Sequence, residues 1–144
     1  DTITPKMVYG DKDLLHQVVY NLIENAVKFT NEGGYIEFNI VETLEQTNFI
    51  IKNSGMGIND SEIDLVFGRF YKTDKSRSKD KKGLGLGLYL VRSIVRLHGG
   101  NITAKSVVGE FTEFEFYLPQ KKSGSKKFDN KRADNKKRLT DKGG

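Results

Sequence analysis

The sequence contains no cysteine, which excludes a disulfide framework and a thiolate metal site and fits a reducing compartment. It has no run approaching the roughly 18 consecutive apolar residues of a membrane span. Its first residues, Asp1-Thr2-Ile3-Thr4-Pro5, lack a signal-peptide pattern, so the cytoplasm is the expected location of this segment. A basic face is lacking too, despite a formal charge of +5: residues 121 to 144 hold ten Lys/Arg against three Asp, a net of +7, which leaves 14 basic and 16 acidic residues before them. The body is mildly acidic, so no nucleic-acid partner is expected for it, and any such role is confined to the tail. That tail has only Phe128 and Leu139 as large apolar residues and is expected to be disordered. Residues 1 to 120 read as one domain, because a 144-residue chain that is 36% apolar, with 9 Phe and 6 Tyr, can bury one core.

The densest feature is Lys82-Gly83-Leu84-Gly85-Leu86-Gly87-Leu88, three alternating glycines opening into the helical pattern Leu88, Val91, Ile94, Val95. Glycines there free the backbone to expose consecutive N–H groups at a helix start, which is the outline of a phosphate cradle and also of a plain turn. The run has neither the Lys-Ser/Thr ending of a Walker loop nor the preceding strand of a dinucleotide fingerprint.

Before it, residues 2 to 9 are expected to form a short edge strand. Asp11 then reads as the N-cap of a long helix whose stripe is Leu15, Val18, Val19, Leu22, Ile23, Ala26 and Val27, ending about residue 30 ahead of Asn31-Glu32-Gly33-Gly34. Asn21, Asn25 and Lys28 fall within about 60° of one another at the stripe's border. Amide oxygens are hard ligands suited to Mg²⁺, and a lysine one turn on suits phosphates, although two surface amides and a solvated lysine would look the same. Strands are expected over Tyr35–Val41 and Asn48–Lys52, the second running into Asn53-Ser54-Gly55-Met56-Gly57-Ile58. A short helix capped by Asp60 or Ser61 is expected over Glu62–Phe67, then Gly68-Arg69-Phe70-Tyr71-Lys72. From Thr73 to Lys82 there are five Lys/Arg, two Asp and no aliphatic residue, a composition for a cationic lid or a solvated charge run. The helix Leu86–His98 stops at Gly99-Gly100, and Asn101–Val107 with Thr112–Leu118 form a second hairpin. His98 reads as a surface residue of a helix end, and His16 as structural.

The order of these stretches carries a resemblance. Asn21-Leu22-Ile23-Glu24-Asn25-Ala26-Val27-Lys28 resembles the N box of the sensor histidine kinases, and Asn53-Ser54-Gly55-Met56-Gly57-Ile58 their first glycine box. Phe67-Gly68-Arg69-Phe70-Tyr71-Lys72 is similar to the F box, and Gly83-Leu84-Gly85-Leu86-Gly87-Leu88 to the second glycine box. The resemblance covers about residues 8 to 119. It implies the catalytic and ATP-binding domain of a two-component sensor kinase, in the Bergerat fold shared with gyrase, the Hsp90 chaperones and MutL. That fold is an α/β two-layer sandwich in which three helices cover one face of a mixed five-stranded sheet, with ATP between the helices and a flexible lid. By the same resemblance Asn25 would hold Mg²⁺ with Asn21 beside it, and Lys28 would meet the phosphates. Asn53 would face the adenine amine where Gly55, Gly57 and Ile58 line its approach. Arg69, Tyr71 and Lys72 would stand at the base of the lid. Gly83, Gly85, Leu86, Gly87 and Leu88 would wrap the phosphates, and Thr112 would lie under the adenine. Asn25, Lys28 and Arg69 are the residues expected to act in catalysis.

Two positions depart from the family pattern. Asn53 stands where Asp is usual, and an amide can offer either its oxygen or its nitrogen. Phe111 stands where a Gly-x-Gly-Thr hairpin has glycine. Asn21 stands where the related ATPases have a Glu that orients water, which implies a γ-phosphoryl kept intact until an acceptor imidazole arrives. The resemblance puts that imidazole on a two-helix dimerisation hairpin, with a response regulator downstream. It also implies a membrane-anchored homodimer, of which this chain is a fragment lacking the acceptor. A serine kinase or anti-sigma regulator of the same fold, and a nucleotide-sensing binding module, are the other readings.

Overall fold

A computed structural model describes residues 6–69, 71 and 87–120. The expected lid, Thr73 to Lys82, and the tail 121–144 lie outside these residues. In chain order the elements are α1 (Lys12–Phe29), β1 (Ile36–Glu42), β2 (Gln46–Ser54), α2 (Asp60–Ile63), α3 (Gly87–Leu97), β3 (Asn101–Val107) and β4 (Phe111–Pro119).

The start of α1 follows from Asp11, whose Oδ1 accepts the Leu14 N–H at 2.9 Å and satisfies one of the helix's open donors. At its other end Thr30 turns extended, so the helix closes one residue before the expected limit, and both the N–H and the hydroxyl of Thr30 go to Ala26 O. The buried stripe is narrower than the apolar pattern. Val18, Leu22 and Ala26 are enclosed, whereas Ile23 and Val27 remain 42% and 62% exposed. The second helix also differs from expectation. It spans Asp60–Ile63, with Asn59 at the cap position making no side-chain cap bond, and residues 64–67 continue as turns.

The expected two-layer α/β sandwich is present, with its helices on one face of the sheet. Among the described residues the sheet has four strands in the order β1-β2-β4-β3, and every pairing is antiparallel rather than mixed. Residues 6–9 carry no strand, and residues 2–5 lie outside the described residues. The alternation of β2 and β4 fixes which face is inside: Thr47, Phe49, Ile51 and Asn53 are buried opposite Leu118, Phe116, Phe114 and Thr112. Phe49 and Phe116 stack as a cross-strand pair at 4.6 Å and 8°, and Phe67 meets Phe114 edge-on at 6.0 Å. Val91, Ile94 and Val95 of α3 close the same core against α1. At one end of this apolar row the strands turn polar, and the site lies there.

Candidate functional site

On α1, Leu22 and Ala26 are held in the core, which leaves Asn21, Asn25 and Lys28 half-buried along the adjoining flank. The asparagine pair has no helix-forming advantage to explain it. Neither amide has a hydrogen-bonding partner among the described residues. Lys28 Nζ lies 5.5 Å from the ring of Phe29.

The last turn of α1 abuts the end of β2. A Cβ on Gly55 would stand 2.5 Å from Phe29 O, and one on Gly57, whose φ is +72°, would stand 2.7 Å from both Val107 O and Ser106 Oγ. The expected role of these glycines was to admit a flat ligand. The geometry gives each a further and sufficient reason, the close approach of the chain to its own backbone.

Asn53 is 4% exposed, and its Nδ2 donates to Ser54 O at 3.0 Å. A carbonyl oxygen only accepts, so the nitrogen must face it and Oδ1 faces elsewhere, without a hydrogen bond to any described residue. The two orientations left open by the sequence thus reduce to one: Asn53 offers an acceptor. Ser54 anchors the loop behind it, accepting from Tyr35 N–H at 2.7 Å and donating to Asn31 Oδ1 at 2.8 Å.

Thr112 pairs with Asn53 across β2 and β4 and with Ser106 across β4 and β3. Ser106 Oγ donates to Phe111 O at 2.6 Å, accepts from Ile58 N–H at 2.8 Å and lies 3.3 Å from Thr112 Oγ1. Phe111 does not disturb the turn. Gly109 takes the left-handed conformation at φ +81°, Glu110 N–H returns to Val107 O at 3.0 Å, and Phe111 already belongs to β4 with its ring 4.1 Å from Lys52 Nζ.

Arg69 is engaged by α3. Its guanidinium donates to Tyr89 Oη at 3.1 Å and stacks on that ring at 5.0 Å. The hydrogen bond and charge of Arg69 hold the Tyr89 phenol below the usual tyrosine range, against a smaller opposing effect of desolvation. Tyr71 packs half-buried against the core, Leu88 lies half-buried in the first turn of α3, and a Cβ on Gly87, which opens that helix, would meet no described residue within 4 Å. Lys72, Gly83, Gly85 and Leu86 lie outside the described residues.

Sequence reasoning passed over Asn31, Ser54 and Ser106, and it misread His98. That ring is half-buried: Nδ1 lies 2.7 Å from Ile94 O, and Nε2 accepts the Asp11 N–H at 3.0 Å. It ties the end of α3 to the start of α1, and a Cβ on Gly10 would meet it at 2.6 Å.

The arrangement offers neutral amide oxygens on α1, a buried acceptor on β2 and a hydroxyl beside it on β4. Among the described residues no three His, Cys, Asp or Glu side chains converge on a metal position, and no helix is long and apolar enough to cross a membrane.

Residues 10–122 match the family described as histidine kinase-, DNA gyrase B- and HSP90-like ATPase. The chain is 42% identical over 113 residues to the sensor histidine kinase WalK of Bacillus subtilis, covering 77% of this chain and 18% of that protein. It is 40% identical over 110 residues to the sensor protein SrrB of Staphylococcus aureus, covering 76% of this chain and 19% of SrrB. It therefore spans about a fifth of these relatives. Among solved structures it resembles the mycobacterial sensor histidine kinase MprB, with a TM-score of 0.70, 30% identity and coverage of 78% of this chain and 76% of that one. It also resembles full-length ShkA in complex with AMPPNP, with a TM-score of 0.68, 28% identity and coverage of 78% and 22%.

Proposed function

The chain belongs to the histidine kinase-, DNA gyrase B- and HSP90-like ATPase family, and from that premise we propose that it is the ATP-binding catalytic domain of a two-component sensor histidine kinase. The observation that carries this reading is the enclosed pair Asn53 and Thr112, where a locked amide leaves an acceptor for the exocyclic amine of adenine. Asn25, with Asn21 beside it, contributes amide oxygen to Mg²⁺. Mg²⁺ accepts a few protein oxygens while keeping waters and substrate phosphates, which suits an amide pair. Lys28 meets the phosphates. Gly83, Gly85, Leu86, Gly87 and Leu88 wrap them, and Arg69, Tyr71 and Lys72 hold the base of the lid. The domain comprises residues 1 to 120, followed by the basic tail 121–144.

Catalysis on this reading is positioning and charge neutralisation. Asn21 cannot take a proton from water, so the γ-phosphoryl stays on the nucleotide until an imidazole nitrogen displaces ADP and loses its proton. The acceptor belongs to the dimerisation hairpin of the same kinase, with a response regulator as the next acceptor, and the intact protein is a membrane-anchored homodimer whose catalytic part is cytoplasmic.

The test mixes the domain in trans with the two-helix hairpin of its own full-length protein and ATP labelled on the γ-phosphoryl. Label on the hairpin that is acid-labile and alkali-stable, as a phosphoramidate is, supports the proposal. Rapid steady-state hydrolysis without acceptor, or acid-stable label, contradicts it.

A further inference from the structure

The body of α1 is fixed in the core by Val18, Leu22 and Ala26, but no residue from Val27 to Gln46 is buried. The strand in that stretch, β1, is held by its ladder with β2. The last turn of α1 and the loop after it have no such ladder and no enclosed apolar side chain, yet Lys28 lies in that turn and Asn25 just before it.

What ties this stretch to β2 is polar, and it centres on Ser54, the residue after Asn53 and itself 7% exposed. Its N–H donates to Tyr35 O at 3.0 Å, and its Oγ accepts from Tyr35 N–H at 2.7 Å. The hydroxyl proton goes to Asn31 Oδ1 at 2.8 Å, the nearer of its two possible acceptors, Tyr35 O being 3.4 Å away. Ser54 O accepts from Asn53 Nδ2 at 3.0 Å. One residue thus orients the amide of Asn53 and grips the chain two residues past the end of α1.

Gly34 shows how closely this clasp is built. A Cβ there would run into both Ser54 Oγ and Asn31 Oδ1. Its neighbour Gly33 is the reverse case, with a φ of +74° and nothing within 4 Å of its Cβ. Gly33 serves the turn, whereas Gly34 makes room for the bond between Asn31 and Ser54.

We propose that Asn31 and Ser54 are positioning residues, whose hydrogen bond sets the end of α1 against the end of β2 so that one nucleotide meets both. The inference rests on the ATP reading above and goes beyond it, because it gives a role to two residues that are not assigned to the nucleotide. Two contacts made by one ligand reinforce each other only while their spacing is held. When the spacing is lost, each contact keeps its own strength, and the whole ligand is weakened by the fraction of molecules still correctly arranged.

The test is titration of the full chain with two ligands: a non-hydrolysable ATP analogue with Mg²⁺, followed by calorimetry, and adenosine, which lacks the phosphates, followed by amide NMR. Asn31→Ala, at an exposed loop position, weakens the analogue about threefold or more and adenosine less than about twofold, the range of one neutral hydrogen bond. Ser54→Ala weakens the analogue at least as much, and adding Asn31→Ala to it changes little further, because both remove the same bond. Gly34→Ala keeps both side chains but forces them apart, and it reproduces the loss seen in Asn31→Ala. If Ser54→Ala gives no cooperative melt, Asn31→Ala alone decides. Equal weakening of the analogue and adenosine in a folded Asn31→Ala makes the bond a mere support of the β2 end and overturns the proposal. An unchanged affinity for the analogue overturns it too. Failure of wild type to bind either ligand overturns the ATP reading itself, and this inference with it.

Discussion

Asn53 of β2 and Thr112 of β4 are register partners, 4% and 7% exposed, at the end of a row that otherwise buries Phe49, Ile51, Phe114, Phe116 and Leu118. A valine or isoleucine at either position would continue that row. Enclosing an amide and a hydroxyl instead costs free energy unless their polar atoms are matched. One side of Asn53 is matched within the chain, by Ser54 O, and the other makes no hydrogen bond to any described residue.

Replacing Asn53 with Ala removes one bond to Ser54 O and should lower stability by about 1 kcal/mol. The same change should weaken ATP at least about tenfold. Asn53→Asp behaves differently. It places a carboxylate oxygen where the nitrogen now lies 3.0 Å from Ser54 O. The charged form is disfavoured in the fold, so the folded carboxyl titrates above its unfolded value. The loss of stability is therefore present above that folded pKa and is relieved as pH falls through it. Thermal melts across the acid range distinguish the two variants.

Gly55, Gly57 and Gly33 all have positive φ, but only the first two are crowded. Gly55→Ala meets Phe29 O and Gly57→Ala meets Val107 O, and backbone has to move in each case. Each should cost about 2 kcal/mol or more in denaturant unfolding. Gly33→Ala, with nothing within 4 Å of its Cβ, should cost only the conformational term, about 1 kcal/mol.

Tyr89 should titrate below the ordinary tyrosine range, and Arg69→Gln should return it upward. Because the folded pKa is depressed, the extra stability from the phenolate and Arg69 is present above the unfolded pKa and is lost as pH falls through the folded one. At neutral pH the pair contributes a hydrogen bond and ring stacking. Ultraviolet titration of wild type against Tyr89→Phe isolates this phenol from the other five tyrosines.

His98→Ala should destabilise the domain by about 1 to 3 kcal/mol, since it leaves Asp11 N–H and Ile94 O without their ring partner. Because Nε2 accepts from Asp11, the neutral ring must carry its proton on Nδ1. Nitrogen NMR of the imidazole reads that tautomer directly, and a protonated Nε2 in the neutral ring would contradict the assignment.

Much of this was legible in the sequence where a pattern repeats. The 3.6-residue period gave α1 and α3, alternation gave β1 to β4, and Asp11 announced the first cap. What stayed hidden depends on contacts between distant segments. His98 lies 87 positions from Asp11, so helix position alone made it look like a surface residue. Ser106 in a strand reads as one more small polar side chain until Ile58 and Phe111 are brought to it. Local composition likewise did not show that Gly55 and Gly57 approach their own chain, because the atoms that crowd them come from α1 and β3. Helical periodicity likewise put Ile23 and Val27 on the apolar stripe without showing that the packed part of it is narrower.

The central claim is that the amide on α1 and the acceptor on β2 belong to one Mg-ATP site. Calorimetric titration of a non-hydrolysable ATP analogue, with and without Mg²⁺, into wild type and Asn25→Ala tests it most directly. The account predicts Mg²⁺-dependent binding to wild type that Asn25→Ala weakens about tenfold or more. Absence of binding in every condition, or binding that neither Mg²⁺ nor the substitution changes, would contradict it.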